Sequence, residues 1–244
     1  MKKLLLILVL LVFCPLFCTA EEEPEKYTSG AYTYTLLEDG TAEIIRYTGS
    51  AKSLEIPEKL DGYTVSSIGD GAFKLTIFMT EITIPDSIIR MGSNPFAYGM
   101  SLSKIHVSPR NPSFAVIDDV LFDKSTKTLI CYPSTLTSSV YVIPDGIKAI
   151  GADAFTSCRK LTKVVIPDGV VSIGDHAFYC CESLSDIVLP DSIEVIEGGA
   201  FSCCESLTKI IVPDNVTSIE KLVFNECTSL SEITLPDGIT SIGE

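Results

Sequence analysis

The chain repeats a pattern of residues every 23 positions through its second half. A proline, a phenylalanine, a cysteine and a leucine each recur at this interval: Pro144, Pro167, Pro190, Pro213 and Pro236; Phe155, Phe178, Phe201 and Phe224; Cys158, Cys181, Cys204 and Cys227; Leu161, Leu184, Leu207 and Leu230. A fixed period of this length indicates a solenoid, in which each unit buries its apolar face only against its neighbours. The period therefore predicts the fold class and places function on one long, repeated surface.

The first 20 residues have the features of a secretory signal peptide. Lys2 and Lys3 precede an apolar run from Leu4 to Phe17, which is too short and wrongly flanked for a membrane span. Cys18 would be the acylated residue of a lipoprotein, but bulky Phe17 stands before it, so simple cleavage is preferred. The sequence predicts a signal peptide over residues 1–20, a secreted or extracellular-surface location, and no membrane span after cleavage.

The mature chain is strongly acidic. Removing Lys2 and Lys3 from the 18 basic residues of the chain leaves 16, against 32 acidic residues. A net charge of this sign and size argues against nucleic acid and anionic membranes as partners.

One repeat unit, residues 161–183, shows how a rung is built. Apolar Val164 and Ile166 alternate with outward-facing residues, which predicts a short strand. Pro167 ends the strand, because proline cannot donate to a ladder of hydrogen bonds. Asp175 is placed to cap a short helical or 3-10 turn that contains Ala177 and Phe178. Like residues stack on like in successive rungs, so the strands are predicted to be parallel.

The unit L-x-x-V-x-I-P-D-x-V-x-x-I-G-x-x-A-F-x-x-C-x-x-L over residues 161–184 resembles the BspA-like leucine-rich repeat. The resemblance implies an α/β solenoid: a right-handed, curved leucine-rich-repeat solenoid with a parallel concave β-sheet and short helical or 3-10 turns on the convex side. It also implies a secreted or surface protein that binds other proteins, often as an adhesin, and that has no catalytic activity.

The same resemblance divides the mature chain into a cap and a solenoid. Residues 21–53 form the N-terminal cap, because residues 32–47 resemble the β-hairpin that caps the family. Residues 54–244 form the solenoid, and residues 113–133 resemble the hairpin that the family inserts into it. The last rung is incomplete and has no cap, which predicts either a fragment of a longer repeat protein or end-to-end self-association.

The cysteines admit three interpretations. The pairs Cys180-Cys181 and Cys203-Cys204 look like a four-thiolate zinc site, but adjacent residues rarely point at one ion. A bridge between Cys180 and Cys203 is a second interpretation, disfavoured by parallel Cβ directions. The preferred interpretation is packing, in which the periodic cysteines fill an inward column as small apolar residues. No metal and no cofactor is predicted.

An aspartate follows the proline of most rungs. These residues could line up calcium ions or could serve only as turn residues, and turn chemistry is preferred because each rung offers one carboxylate: Asp86, Asp145, Asp168, Asp191, Asp214 and Asp237.

Two columns of side chains should stand on the exposed side of the strands. One column carries charges of alternating sign, which stabilise neighbouring strands and fix their register: Lys163, Asp186, Lys209 and Glu232. The other column contains four consecutive apolar residues, here called the hydrophobic stripe: Val142, Val165, Val188 and Ile211. Contiguous exposed apolar area marks interaction sites. We predict that the stripe contacts a protein partner, a host or matrix protein among the candidates, with Lys163, Asp186 and Lys209 as its polar rim.

Catalysis has little support in the sequence. His106 is predicted on the strand side and His176 on the turn side, so the two histidines should not converge. No Ser-His-Asp arrangement, phosphate loop or metalloprotease motif is present. The sequence predicts a non-enzymatic, adhesin-like binding protein, and the alternative is a structural spacer or self-assembly module without a ligand of its own. A concave face covered by the inserted hairpin would favour the alternative.

Overall fold

The computed structural model describes residues 24–243, which form a β-solenoid of about nine turns. The predicted signal peptide and the first three residues of the predicted cap lie outside the described residues. Twenty-two strands follow one another along the chain: β1 Lys26–Ser29, β2 Tyr32–Leu36, β3 Ala42–Tyr47, β4 Ser53–Glu55, β5 Lys59–Leu60, β6 Tyr63–Ile68, β7 Glu81–Ile84, β8 Arg90–Met91, β9 Lys104–Val107, β10 Phe114–Ile117, β11 Val120–Asp123, β12 Thr128–Cys131, β13 Val140–Val142, β14 Ala149–Ile150, β15 Lys163–Val165, β16 Ser172–Ile173, β17 Asp186–Val188, β18 Val195–Ile196, β19 Lys209–Ile211, β20 Ser218–Ile219, β21 Glu232–Thr234 and β22 Ser241–Ile242.

The N-terminal end of the solenoid is closed by antiparallel strands. β1 pairs with β2 and β2 pairs with β3, so the predicted hairpin is present and has one further strand in front of it. β3 then pairs in parallel with β6, which starts the parallel arrangement of the rungs. Tyr34 of β2 and Ile44 of β3 are buried on the first rung and cover its apolar end.

The strand that begins each rung lies on the concave sheet, which has three hydrogen-bonded parts. The parts are β4-β7-β9, β13-β15-β17 and β19-β21, all parallel. A second row of short strands runs along the side of the solenoid as β14-β16-β18 and β20-β22. The parallel concave sheet that the sequence predicted is present, and its hydrogen bonding is interrupted at two places.

The inserted hairpin explains the first interruption. β10, β11 and β12 form an antiparallel meander, and β12 continues in parallel into β14 of the side row. Asn111 begins this insertion from a buried position. Its side-chain NH2 donates to the carbonyls of Pro85 and Ile88 at 2.8 and 2.9 Å, while its Oδ1 accepts from the N–H groups of Ser113 and Phe114 at 2.9 and 2.8 Å.

Stacked aromatic rings fill the centre of the C-terminal rungs. Phe155, Phe178 and Phe201 are fully buried, and the ring centroids of successive residues lie 4.9 and 5.2 Å apart with interplanar angles of at most 10°. Residues 23 positions apart in the chain therefore stack on one another in successive rungs, as the repeat period predicts.

The convex segment after Asp175 consists of single turns with hydrogen bonds three residues back, as the 3-10 turns of the prediction would have, but it contains no continuous helix. The backbone N–H groups of His176, Phe178 and Cys180 donate to carbonyls of the next rung, and the intervening N–H groups donate three residues back. His176 and Cys180 have positive φ values of 53° and 56°, which interrupt any helical run. The Asp175 carboxylate contacts His176 Nδ1 at 2.6 Å instead of capping a helix. The α component of the predicted α/β class is thus absent from residues 24–243.

Candidate partner-binding face

The hydrophobic stripe stands on the exposed side of the concave sheet. The exposed fractions of its side chains are 60% for Val142, 37% for Val165, 72% for Val188 and 55% for Ile211. Their strand neighbours Val164 and Ile210 are buried, because successive side chains of a strand point to opposite faces. Val142 pairs with Val165 and Val165 pairs with Val188, so three members of the stripe are adjacent on one sheet.

The charged column forms ion pairs two by two. Lys163 Nζ lies 2.7 Å from the Asp186 carboxylate, and Lys209 Nζ lies 2.5 Å from the Glu232 carboxylate. All four side chains are about half exposed, so each pair stabilises the fold by less than about 1 kcal/mol. The column therefore gives the stripe a polar border of balanced charge.

The inserted hairpin leaves the stripe uncovered. Its strands extend the side row through β12 and β14, and none of them pairs with β13, β15 or β17. Exposed Val142, the stripe member nearest the insertion, is consistent with this placement.

The stripe is divided by a gap between β17 and β19. These strands are not joined by hydrogen bonds, so Val188 and Ile211 belong to separate sheets. A groove of about 420 Å³ lies at this junction and is lined by both residues, together with Asp186 and Lys209. We call this groove the slit. The sequence offered no signal for it, because the rungs on its two sides carry the same repeat residues.

With the geometry established, comparison with known families identifies the chain. A model of the BspA type leucine rich repeat region matches residues 43–141 and 131–244, with six copies in all. The chain belongs to this family. The resemblance stated from the 23-residue unit is thereby confirmed.

Solved structures of leucine-rich repeat proteins share the fold. A protein from Eubacterium ventriosum is similar with a TM-score of 0.60 and 20% identity, over 90% of this chain and 93% of that chain. A protein from Bacteroides ovatus has a TM-score of 0.53 and 29% identity, over 89% of this chain and 55% of that chain. The pneumococcal vaccine antigen PcpA has a TM-score of 0.52 and 15% identity, over 91% of this chain and 88% of that chain. No curated protein matches the chain.

The periodic cysteines of this BspA-type chain pack inward. The thiols of Cys181 and Cys204 donate to the carbonyls of Phe155 and Phe178, in each case in the preceding rung, at 3.1 and 3.3 Å. Burial raises the pKa of both thiols far above the usual range. Cys180 and Cys203, in contrast, are partly exposed and unbridged. Within each adjacent pair, therefore, one thiol points into the core and the other points toward solvent. The packing interpretation describes this arrangement.

We expect this difference to govern thiol reactivity. After reduction, iodoacetamide should alkylate Cys180 and Cys203 at least roughly tenfold faster than Cys181 and Cys204, because the attacking species is an accessible thiolate. Peptide mass mapping of a time course at mildly alkaline pH measures the rates, and the same course in urea, where all sites are open, is the control. Equal rates at the four sites in the folded protein would contradict the inward column.

Other predicted functional residues remain apart in the structure. Among residues 24–243, no group of three or more His, Cys, Asp or Glu side chains is arranged to hold a metal ion. The first aspartate of the turn column, Asp86, forms an ion pair with Arg110 at 3.1 Å. His176 contacts Asp175, whereas His106 lies on β9 of the concave sheet. No helix capable of crossing a membrane is found in the described part of the chain.

A second exposed apolar cluster was missed by the sequence analysis. Ile77, Phe78 and Met100, at the edges of the first two rungs, are 46%, 59% and 59% exposed. Ile77 and Phe78 lie beside a cavity of about 560 Å³ between segments 45–51 and 71–79. Aligning the rungs would have revealed the cluster, because the positions of Ile77 and Phe78 are occupied by polar residues in the four later repeats: Arg159-Lys160, Glu182-Ser183, Glu205-Ser206 and Thr228-Ser229.

Proposed function

We propose that this chain is a secreted or cell-surface protein that binds a protein partner through its concave sheet, in the manner of an adhesin. The observation that carries the proposal is the hydrophobic stripe: four apolar residues, each more than a third exposed, in one column along the concave face. An exposed apolar column with a charged border has the composition of a protein-binding surface, apolar in the middle and polar at the rim.

Three further features support a protein partner. The acidic balance of the chain disfavours nucleic acid and anionic lipid. The stripe and its border contain no aromatic side chain on which a sugar could stack. The leucine-rich repeat family and its solenoid fold are typically non-enzymatic, which favours binding over catalysis. Export is supported by the signal-peptide features of residues 1–20.

The test replaces two central members of the stripe. The double variant Val165→Glu, Val188→Glu should lower the affinity for the partner at least roughly tenfold, because two carboxylates would be desolvated in the interface. Binding is measured by biolayer interferometry against a panel of purified extracellular-matrix and cell-surface proteins. Circular dichroism of the variant should match that of the native chain, since both side chains are already exposed.

A matched control lies on the side row of strands. Val195, in β18, is 44% exposed and belongs to the same residue type and strand environment. Val195→Glu should leave binding unchanged. Equal loss in the control and the stripe variant, or unchanged binding in the stripe variant, would contradict the assignment of the stripe.

A further inference from the structure

The slit lacks the main-chain hydrogen bonds that join the other C-terminal rungs. At the preceding junction, the N–H groups of Ser185 and Asp186 both donate to the Thr162 carbonyl at 3.0 Å. Thr208 and Lys209 occupy the corresponding positions one rung later, and within residues 24–243 neither donates to the Ser185 carbonyl. Two strand edges with unpaired polar groups therefore face one another across the groove.

The next junction shows that the loss is local. Ser231 and Glu232 donate to the Thr208 carbonyl at 3.0 and 3.2 Å, and Val212 donates to the Thr234 carbonyl at 2.9 Å. β19 pairs with β21 over three residues in the regular parallel register. The interruption is therefore a property of one rung junction and not of the end of the solenoid.

The convex side of the same junction stays closed. Phe201 donates to the Val223 carbonyl at 2.9 Å and Cys203 donates to the Asn225 carbonyl at 2.8 Å. The rings of Phe201 and Phe224 lie 5.8 Å apart, the widest spacing in the stack. The two rungs are thus joined by main-chain hydrogen bonds at the convex side and by the bond from Ser206 N–H to the Glu182 carbonyl at 3.1 Å, whereas β17 and β19 of the concave sheet are in contact but unpaired.

The walls of the slit combine apolar side chains with one opposite-charge pair. Val188 and Ile211 stand at its mouth, and Asp186 and Lys209 border it on opposite strands. Asp186 is already paired with Lys163 on the other side, and Lys209 with Glu232, so neither charge closes the groove.

We propose that the slit binds an extended segment of the protein partner as an inserted β-strand. This inference rests on the proposed function, since the slit crosses the hydrophobic stripe. Unpaired N–H and C=O groups on strand edges are templates for another strand, and an extended main chain presents donors and acceptors to both sides at strand spacing. An inserted strand needs β17 and β19 to stand about 10 Å apart, twice the usual spacing, and the convex hydrogen bonds provide the hinge for this opening.

The probe is a synthetic peptide with the sequence of residues 231–237, Ser-Glu-Ile-Thr-Leu-Pro-Asp, which carries the repeat residues of a concave strand and in the structure pairs in parallel with the edge of β19 that faces away from the slit. The peptide should bind the native chain in a calorimetric or fluorescence titration. A matched peptide that is N-methylated at alternate amides keeps every side chain but loses the main-chain donors. Its affinity should fall at least roughly tenfold, the equivalent of two lost hydrogen bonds.

A covalent lock tests the position of the bound strand. The double variant Val188→Cys, Ile211→Cys, oxidised to a bridge across the slit and verified by mass mapping, should lose peptide binding and recover it on reduction. The control is Ser172→Cys, Val195→Cys, whose bridge would cross the intact β16–β18 ladder of the side row, outside the stripe, and should leave binding unchanged.

Three results would overturn the slit as a strand-binding site: no binding of the unmodified peptide, equal binding of the N-methylated peptide, or undiminished binding to the locked slit. If a macromolecular partner loses affinity for the stripe variant but still binds the locked form, the slit inference is wrong and the proposed function is retained. A partner that is indifferent to the Val165→Glu, Val188→Glu variant would remove the proposed function itself.

Discussion

Replacing Phe178 with alanine should lower the free energy of unfolding by about 3–5 kcal/mol, the usual cost of deleting a fully buried phenylalanine. Phe178 is 0% exposed and stacks between Phe155 and Phe201, so its removal leaves a void with apolar walls in two successive rungs. The inter-rung bond from Phe178 N–H to the Ala200 carbonyl holds the backbone in place, which limits how far the neighbours can close the void. Urea unfolding followed by circular dichroism measures the change.

The matched control deletes the same atoms at a surface position. Phe78 is 59% exposed, and Phe78→Ala should change the free energy of unfolding by less than about 1 kcal/mol. Similar losses in the two variants would mean that the phenylalanine column is not the centre of the core.

Asn111→Ala should destabilise the chain by about 2–5 kcal/mol, although it removes no apolar packing. The substitution leaves the carbonyl of Ile88 and the N–H groups of Ser113 and Phe114 without a partner, and it leaves the Pro85 carbonyl with the Ile88 N–H alone. Unpaired buried polar groups each cost about 1–3 kcal/mol, less where water can enter. The same denaturant titration measures the loss, with hydrogen exchange at residues 113–133 reporting whether the inserted hairpin loosens first.

Two further variants test whether the loss comes from the hydrogen bonds of the Asn111 side chain and not from substitution of an asparagine as such. Asn111→Asp keeps both accepted bonds but places oxygen against two carbonyls, so it should also destabilise the chain. Asn215 makes one hydrogen bond from its side chain, to the Asp191 carbonyl at 2.7 Å, and is exposed. Asn215→Ala should therefore cost less than about 1 kcal/mol. A stable Asn111→Ala variant would show that water or a rearranged hairpin replaces the amide.

The repeated part of the fold was predictable because its cause is local and periodic. Alternating apolar residues, a terminating proline and the fixed 23-residue step predict parallel strands and inward columns, and Phe178 and Cys181 lie where the pattern places them. The convex turn was not predictable from Asp175 and its neighbours. Alternate backbone N–H groups of this turn donate to carbonyls of the next rung instead of to carbonyls of their own turn. Which of the two acceptors is used depends on how the rungs stack, and the local sequence does not show this.

Features that depart from the repeat were harder to predict. Asn111 is a single polar residue whose four side-chain partners come from two segments of the chain, residues 85–88 and 113–114, and no periodic signal points to it. The hydrophobic stripe was predictable as exposed residues, since strand alternation decides which side chains face outward. Its division by the slit was not, because residues on both sides follow the same pattern and the difference lies in the hydrogen bonding of one junction. The role of the stripe in binding stays a prediction.

The most direct test of the central claim is site-specific photocrosslinking from the concave sheet. A benzoylphenylalanine is placed at Val188 on the hydrophobic stripe or, as the control, at Val195 on the side row, and each protein is irradiated with the extracellular proteins of its natural surroundings. We predict one discrete covalent adduct from position 188 and none from position 195. Adducts of equal yield from both positions, or an adduct from position 195 alone, would contradict binding through the concave face.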